Sequence, residues 1–153
     1  IVKTIGYGVD PDWVCPFTDV DLTPNPVDPF FPAKYVTVCA LKGITKGKTP
    51  TTFDPYASIT RFQVMSMVVR AVDGVAPGSL AAPPATFTPT WGTALSPEHG
   101  ANAARAEYNG LLVGINLSVL DPFGNMTRGE ISQVLHNVLG KGLPQPPPPL
   151  MGG

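Results

Sequence analysis

Two arginines stand where helix formation alone would not place them. Arg61 follows Thr60 and Arg128 follows Thr127, each at the predicted start of a helix. A cation in the first helical turn opposes the helix dipole, which disfavours it by roughly a few tenths of a kcal/mol. A guanidinium beside the unpaired amides of a helix start can instead bind a carboxylate or a phosphate. The pattern therefore predicts two anion-binding positions.

The alternative for both arginines is structural. An aspartate precedes each arginine in its loop, Asp54 for the first and Asp121 for the second. An ion pair within each loop would brace the turn and leave no site for a ligand. Both interpretations remain open from the residues alone.

The helices that carry these arginines have clear start signals. Thr60-Arg61-Phe62-Gln63 and Thr127-Arg128-Gly129-Glu130 both have the form of a capping box, in which side chains of the first and last residues satisfy free amide donors. Apolar residues follow at helical spacing. They cover nearly all sides of the first helix, which predicts that this helix lies at the centre of the molecule.

The two arginines belong to an internal repeat, which is typical of units that cannot bury an apolar face alone. Six residues recur at a constant offset of 67: Gly43 and Gly110, Gly47 and Gly114, Asp54 and Asp121, Pro55 and Pro122, Thr60 and Thr127, Arg61 and Arg128. Each unit is predicted to be a helix, a turn, a loop and a helix. Residues 1–6 match the closing helix at the same offset, so the chain is expected to open inside an earlier unit.

Start and stop signals also bracket the opening helix of each unit. Pro32 and Gly43 flank the first, while Ser96-Pro97-Glu98 is expected to start the second and Gly110 to end it. The loops that follow carry Gly, Pro and Asp turn chemistry. The predicted fold is therefore mainly α, with long Pro/Gly-rich loops.

Composition excludes several classes of function. Charged residues make up 14% of the 153 residues and the net charge is -1, which argues against nucleic-acid binding. No apolar run is long enough for a membrane span. No arrangement of carboxylates, histidines or cysteines indicates catalysis, a cofactor or a metal site. Cys15 and Cys39 are predicted to form a disulfide in an extracellular setting or to remain two separate buried thiols.

Taken together, the motifs resemble the S-layer homology (SLH) repeat. The resemblance rests on FTDV at Phe17, GITKG at Gly43, FDPYASITRFQ at Phe53, GLLVG at Gly110 and DPFGNMTRGE at Asp121. It covers residues 17–73 well and residues 87–140 less well. FTPT at Phe87 lacks the aspartate of FTDV, and Trp91 stands ahead of the position where the family often has tryptophan.

The resemblance implies a division of the chain. Residues 1–16 would be the end of a preceding repeat and a linker, and residues 17–74 a full repeat. A Pro/Gly/Ala linker at 75–86 would lead into a divergent repeat at 87–141, followed by a Pro-rich tail at 142–153. In this family the repeats gather around a central helical bundle.

The resemblance also implies a function at the bacterial cell surface. Such domains are non-catalytic and bind secondary cell-wall polysaccharide, often pyruvylated, through the arginine of the closing helix. Carried over to this chain, the polysaccharide-binding residues are Arg61, Arg128, Thr60, Thr127, Gly43, Gly47, Gly110 and Gly114. The low charge and high proline content keep a second hypothesis open, in which copies of the chain assemble into a surface layer, sheath or extracellular filament.

Overall fold

A computed structural model describes residues 1–143; from residue 144 onward, the predicted Pro-rich tail lies outside that range. Within it the chain is mainly helical, with five α-helices and no strand, as the sequence predicts. No helix of this range has the length and apolar character needed to cross a membrane. The chain divides into two compact units, an N-terminal unit of residues 2–57 and a C-terminal unit that begins at Ser58.

The N-terminal unit contains two helices, α1 (Val2–Ile5) and α2 (Ala33–Leu41). Its core contains Phe17, Val20 and Ala33, against which Cys15, Val36, Ala40 and Phe53 pack. The rings of Phe17 and Phe53 lie 5.4 Å apart. Asp28 accepts hydrogen bonds from Lys3 of α1 and Tyr35 of α2, so one carboxylate ties both helices to the connecting segment.

Of the two alternatives for the cysteines, the structure has free thiols. Cys15 and Cys39 are both half-buried, and no disulfide joins them. Cys15 packs on the apolar core of the N-terminal unit. Burial raises the pKa of the Cys39 thiol above its ordinary value, which disfavours its reactive thiolate form.

The C-terminal unit is built on three helices, α3 (Arg61–Val75), α4 (Gly100–Tyr108) and α5 (Arg128–Leu139), with short 3-10 turns at Thr93–Leu95 and Leu117–Val119. Helix α3 is buried on nearly all sides, as predicted, including Phe62, Met65, Val69 and Val72. The face of α4 is made of small buried residues, Ala103, Ala104 and Ala106, and α3 and α4 pack against each other. In α5 the buried residues are Val134 and Val138.

The predicted start of α4, with Ser96 as the cap and Pro97 in the first turn, is wrong by three residues. The Ser96 hydroxyl accepts a hydrogen bond from the amide of His99 at 3.1 Å, which closes a separate turn. The regular helix begins only at Gly100, whose amide donates to the Ser96 carbonyl at 2.8 Å. The serine is thus a cap, but of the turn that leads into the helix.

The opening helices α2 and α4 end in the same way. The amide of Ile44 donates to the carbonyl of Cys39 and that of Gly43 to Ala40, with Gly43 at φ 66°. At the same offset of 67, Leu111 donates to Ala106 and Gly110 to Glu107, with Gly110 at φ 74°. This is the Schellman motif, in which a left-handed glycine ends the helix. The glycines of both turns were predicted as helix ends, and that prediction is confirmed.

Candidate binding site at two helix starts

Both predicted capping boxes are formed. In α3 the amide of Gln63 donates to the Thr60 hydroxyl at 3.2 Å, and the amide of Thr60 donates to the Gln63 side chain at 2.9 Å. In α5 the amide of Glu130 donates to the Thr127 hydroxyl at 3.2 Å, and the return bond to the Glu130 carboxylate measures 3.4 Å. The threonine hydroxyls are therefore engaged by the backbone at both helix starts.

The Arg61 side chain is buried and binds a carboxylate of its own chain. Its Nε donates to Glu130 Oε2 at 2.7 Å, and its Nη2 donates to Glu130 Oε1 at 2.8 Å. The exposed fractions of the two side chains are only 10% and 16%. This is a bidentate pair between the first residue of α3 and the capping-box glutamate of α5.

The pair shifts the pKa of each partner in the direction of charge. The hydrogen bonds from Arg61 hold the pKa of Glu130 below its ordinary value, although burial acts in the opposite direction. The same hydrogen bonds raise the pKa of the Arg61 guanidinium. Both groups are therefore charged at neutral pH, and each neutralises the other.

The loop before α5 closes over the start of α3. The amides of Arg61 and Phe62, which have no partner within their own helix, donate to the carbonyls of Gly124 and Pro122 at 3.0 Å each. Arg61 Nη1 also donates to the carbonyl of Asp121 at 3.0 Å. A β-carbon at Gly124 would lie 2.6 Å from Arg61 Nη1, so a larger residue there would displace this guanidinium from its present position.

The ion pair between Arg61 and Asp54, expected under the structural alternative, is not formed. Asp54, in the loop just before Arg61, pairs with Lys48 at 2.8 Å. Arg61 instead braces the loop of the second segment, 60 residues along the chain at Asp121. The residue pattern gave no sign of this pairing, because it depends on how α3 and α5 meet in the folded unit.

Arg128 has the same place on α5 but different surroundings. Its side chain is exposed, and its guanidinium forms no hydrogen bond or ion pair with any of residues 1–143. The Asp121 carboxylate, its predicted local partner, accepts a hydrogen bond from the amide of Phe123 instead. The amides of Arg128 and Gly129 have no acceptor within this range either. At the start of α3, loop 121–124 and Glu130 accept hydrogen bonds from the guanidinium and from the first two amides of the helix. The same three donor groups at the start of α5 have no acceptor among residues 1–143.

The other arginines are paired within the C-terminal unit. Arg105 forms a bidentate pair with Asp73, at 2.8 and 2.9 Å, and Arg70 lies 3.8 Å from Glu98. Within the part of the chain that the structure describes, Arg128 is the arginine without a carboxylate partner. It is therefore the arginine whose charge is available to an external anion.

The four glycines proposed from the resemblance lie in turns and have positive φ angles, namely Gly43, Gly47, Gly110 and Gly114. Gly43 and Gly47 belong to the N-terminal unit, and Gly110 and Gly114 to the C-terminal unit. A β-carbon at Gly114 would lie 3.2 Å from the Gln133 side chain of α5, so this turn rests against the helix of Arg128. Their observed contacts are those of turns that set the backbone path.

Two residues that hold the loops were not predicted. In the N-terminal unit, the Asp19 carboxylate of FTDV accepts hydrogen bonds from the amides of Phe53 and Asp54, at 2.8 and 2.7 Å. FTPT has Pro89 at the equivalent position. There the indole of Trp91 donates to the carbonyls of Leu117 and Leu120, at 3.1 and 3.2 Å. The displaced tryptophan was the available signal, since a buried indole requires an acceptor.

The histidines and acidic residues form no comparable site among residues 1–143. Ser66 Oγ lies 2.8 Å from Nδ1 of His99, but Ser66 is fully buried within α3 and no substrate can reach its hydroxyl. Among residues 1–143, no group of three or more His, Cys, Asp or Glu side chains is arranged to hold a metal ion. The exposed start of α5 is the feature with chemistry to offer a ligand.

Comparison with known families finds a match for one segment of the chain. Residues 16–65 match the S-layer homology domain, which confirms the resemblance over that segment. The matched segment is about a third of the chain and ends within the second turn of α3. No curated protein matches the chain. Residues 16–65 are thus similar to the S-layer homology domain, a family of non-catalytic modules associated with the cell wall and cell surface.

Proposed function

We propose that the chain is an extracellular anchor module that holds a surface protein non-covalently to anionic secondary cell-wall polysaccharide. The observation that carries the proposal is the S-layer homology match at residues 16–65. We further propose that residues 17–74 and 87–141 are two repeats of this type, joined by the linker at 75–86 and gathered around a helical bundle.

The recurrence of backbone contacts supports the two-repeat division. The helix ends at Gly43 and Gly110 have the same hydrogen bonds at an offset of 67. The capping boxes at Thr60 and Thr127 have the same pairs of hydrogen bonds at that offset. Local energetics alone would not give the two helix ends and the two capping boxes the same offset, whereas a duplicated unit does.

The ligand position that we propose is Arg128, with Thr127 fixing the helix start. Arg61 serves as an internal model for what such a helix start binds. There the guanidinium holds a carboxylate in two hydrogen bonds, and two backbone carbonyls cover the first amides. The same donors at Arg128 are exposed and unpaired in the described chain, so an acidic sugar fits them by the same chemistry.

Retention on purified cell walls tests the proposal. We expect the wild-type chain to sediment with walls that carry their secondary polysaccharide and to remain in solution with walls stripped of it. Arg128→Ala should reduce retention by at least about tenfold, because a bidentate charged contact contributes on the order of 1.5 kcal/mol or more.

Lys141→Ala is the matched control. Lys141 is an exposed cation two residues beyond α5, so its removal changes the net charge equally without touching the helix start. Equal loss of retention in both variants would show non-specific charge attraction and would refute Arg128 as the residue that binds the polysaccharide. Retention of the wild type on stripped walls would refute the polysaccharide as the partner.

The alternative is a self-assembling structural subunit of a surface layer, sheath or filament. Large apolar side chains stand exposed in both units, and the most exposed are Val14, Val27, Tyr56 and Val119, at 83%, 93%, 93% and 74%. Exposed apolar groups are consistent with contacts between copies. Assembly of the purified chain without wall material, unaffected by Arg128→Ala, would favour this second function.

A further inference from the structure

We infer that Arg61 tunes the affinity of the Arg128 site through its charge, without touching the ligand. The inference rests on the proposed function and concerns a positioning residue of that same site. Arg61 holds both carboxylate oxygens of Glu130, at 2.7 and 2.8 Å. Glu130 lies two residues after Arg128, in the same first turn of α5.

Glu130 and Arg128 lie in the same first turn of α5 but on different sides of the helix. Side chains two residues apart on a helix do not face each other, so this glutamate does not pair with Arg128. Both residues nevertheless belong to the first turn of α5, so a ligand at this helix start meets the field of both charges, which salt screens over roughly 8–10 Å at physiological ionic strength. Because Glu130 is only 16% exposed, solvent screens its charge less than that of a surface residue.

Arg61 therefore sets the net charge that an anionic ligand meets at this helix start. With Arg61 in place, Glu130 is neutralised and the guanidinium of Arg128 remains uncompensated. Without Arg61, the unpaired Glu130 carboxylate would repel the same anion. The remaining acidic group near the pair is Asp121, which contributes a Coulombic attraction to Arg61 and stays constant through the variants described next.

A charge series of four proteins tests the inference. We propose to measure binding of the full chain to immobilised secondary wall polysaccharide bearing pyruvate ketals, for the wild type, Arg61→Met, Glu130→Gln and the double variant. Relative to the wild type, Arg61→Met lowers the local charge by one, Glu130→Gln raises it by one, and the double variant leaves it unchanged. We expect affinity to change by about two- to tenfold per unit of charge. Arg61→Met should bind most weakly, the wild type and the double variant equally, and Glu130→Gln most tightly.

The decisive comparison is between the wild type and the double variant. If charge governs affinity, the double variant binds as the wild type does, and Glu130→Gln binds more tightly. If the ion pair acts only by holding the fold, all three variants bind more weakly and the inference is overturned. Arg61→Lys keeps the charge without the bidentate fork, so it should bind like the wild type even if its melting temperature falls.

Ionic strength separates the two roles further. High salt should bring the affinities of Arg61→Met and Glu130→Gln together, because it screens the charge difference. A difference that persists at high salt would contradict the inference. Should the wild type fail to bind the polysaccharide at all, the proposed function itself fails and the inference with it. Wild-type binding that depends on Arg128 but ignores the charge series overturns the inference alone.

Discussion

Glu130 serves two helix starts with one carboxylate. It completes the capping box of α5 through the amide of Thr127 and receives the guanidinium of Arg61 from the start of α3. The equivalent residue of the first segment, Gln63, completes its box equally well without a charge. Among the described residues, the Gln63 side chain forms no hydrogen bond with an arginine. The difference between Gln63 and Glu130 therefore follows from tertiary pairing and not from capping.

We expect Glu130→Gln to destabilise the C-terminal unit at neutral pH by about 1–3 kcal/mol, because it removes a charged hydrogen-bonded pair. The native pKa of Glu130 lies below its ordinary value, which is about 4.3 in unfolded chains. The stabilisation is therefore present above that pH and is lost as the pH falls through the native pKa. The difference between wild type and variant should be largest at pH 7 and should shrink in acid, as measured by urea denaturation.

Asp12→Asn is the control for this pH dependence. Asp12 is exposed, and its carboxylate accepts no hydrogen bond from residues 1–143. Its replacement should leave the free energy of unfolding within about 0.5 kcal/mol of the wild type at both pH values. A Glu130→Gln variant as stable as Asp12→Asn at pH 7 would mean that the pair contributes nothing.

Local and distant contacts differ in what the sequence reveals. The capping boxes at Thr60 and Thr127 could be predicted, because all their partners lie within three residues. The pairing of Arg61 with Glu130 could not, since 69 residues separate them and only the folded unit brings them together. Gly124 carried a usable signal, because a glycine in the loop leaves room for a side chain from elsewhere.

At the level of turns, two glycines of one loop have similar angles and different surroundings. Gly43 has φ 66° and Gly47 has φ 73°, both in the left-handed region. A β-carbon at Gly43 would have no atom within 4 Å. A β-carbon at Gly47 would lie 2.5 Å from Phe17 Cε1 and 2.7 Å from the carbonyl of Thr52. The first position needs glycine for its angle alone, the second also for its space.

We expect Gly43→Ala to destabilise the N-terminal unit by about 1 kcal/mol, the strain of a left-handed alanine. Gly47→Ala should cost about 2–4 kcal/mol, because overpacking against Phe17 and the Thr52 carbonyl adds to the same strain. Urea denaturation of both variants measures the difference. Equal losses would show that the loop shifts freely and that the close packing at Gly47 is not a constraint.

The loops show where prediction by motif reaches its limit. The turn chemistry of both loops was predicted from Gly, Pro and Asp, but not the groups that hold them. Asp19 holds one loop by accepting from amides, whereas Trp91 holds the other by donating to carbonyls. The two solutions have opposite hydrogen-bond polarity. A comparison of motifs records only a missing aspartate at Pro89, since the replacement donor comes from a different position.

For the whole chain, the net charge of -1 limits which forces could hold it to a cell wall. A nearly neutral protein has no general attraction to an anionic polymer, so any electrostatic part of the retention must come from local charge. Exposed apolar side chains offer the other source of association. These two sources respond to salt in opposite directions. Screening weakens a contact between exposed charges, while sulfate salts strengthen apolar burial.

We therefore expect wall retention of the wild type to fall as sodium chloride is raised, and Arg128→Ala to show little further fall. In ammonium sulfate at moderate concentration, self-association through Val27, Tyr56 and similar side chains should increase if the assembly function holds. Sedimentation with and without walls measures both responses on one sample. Retention that strengthens with sulfate and ignores Arg128 would identify the chain as an assembly subunit. Retention that weakens with chloride and depends on Arg128 would identify it as an anchor.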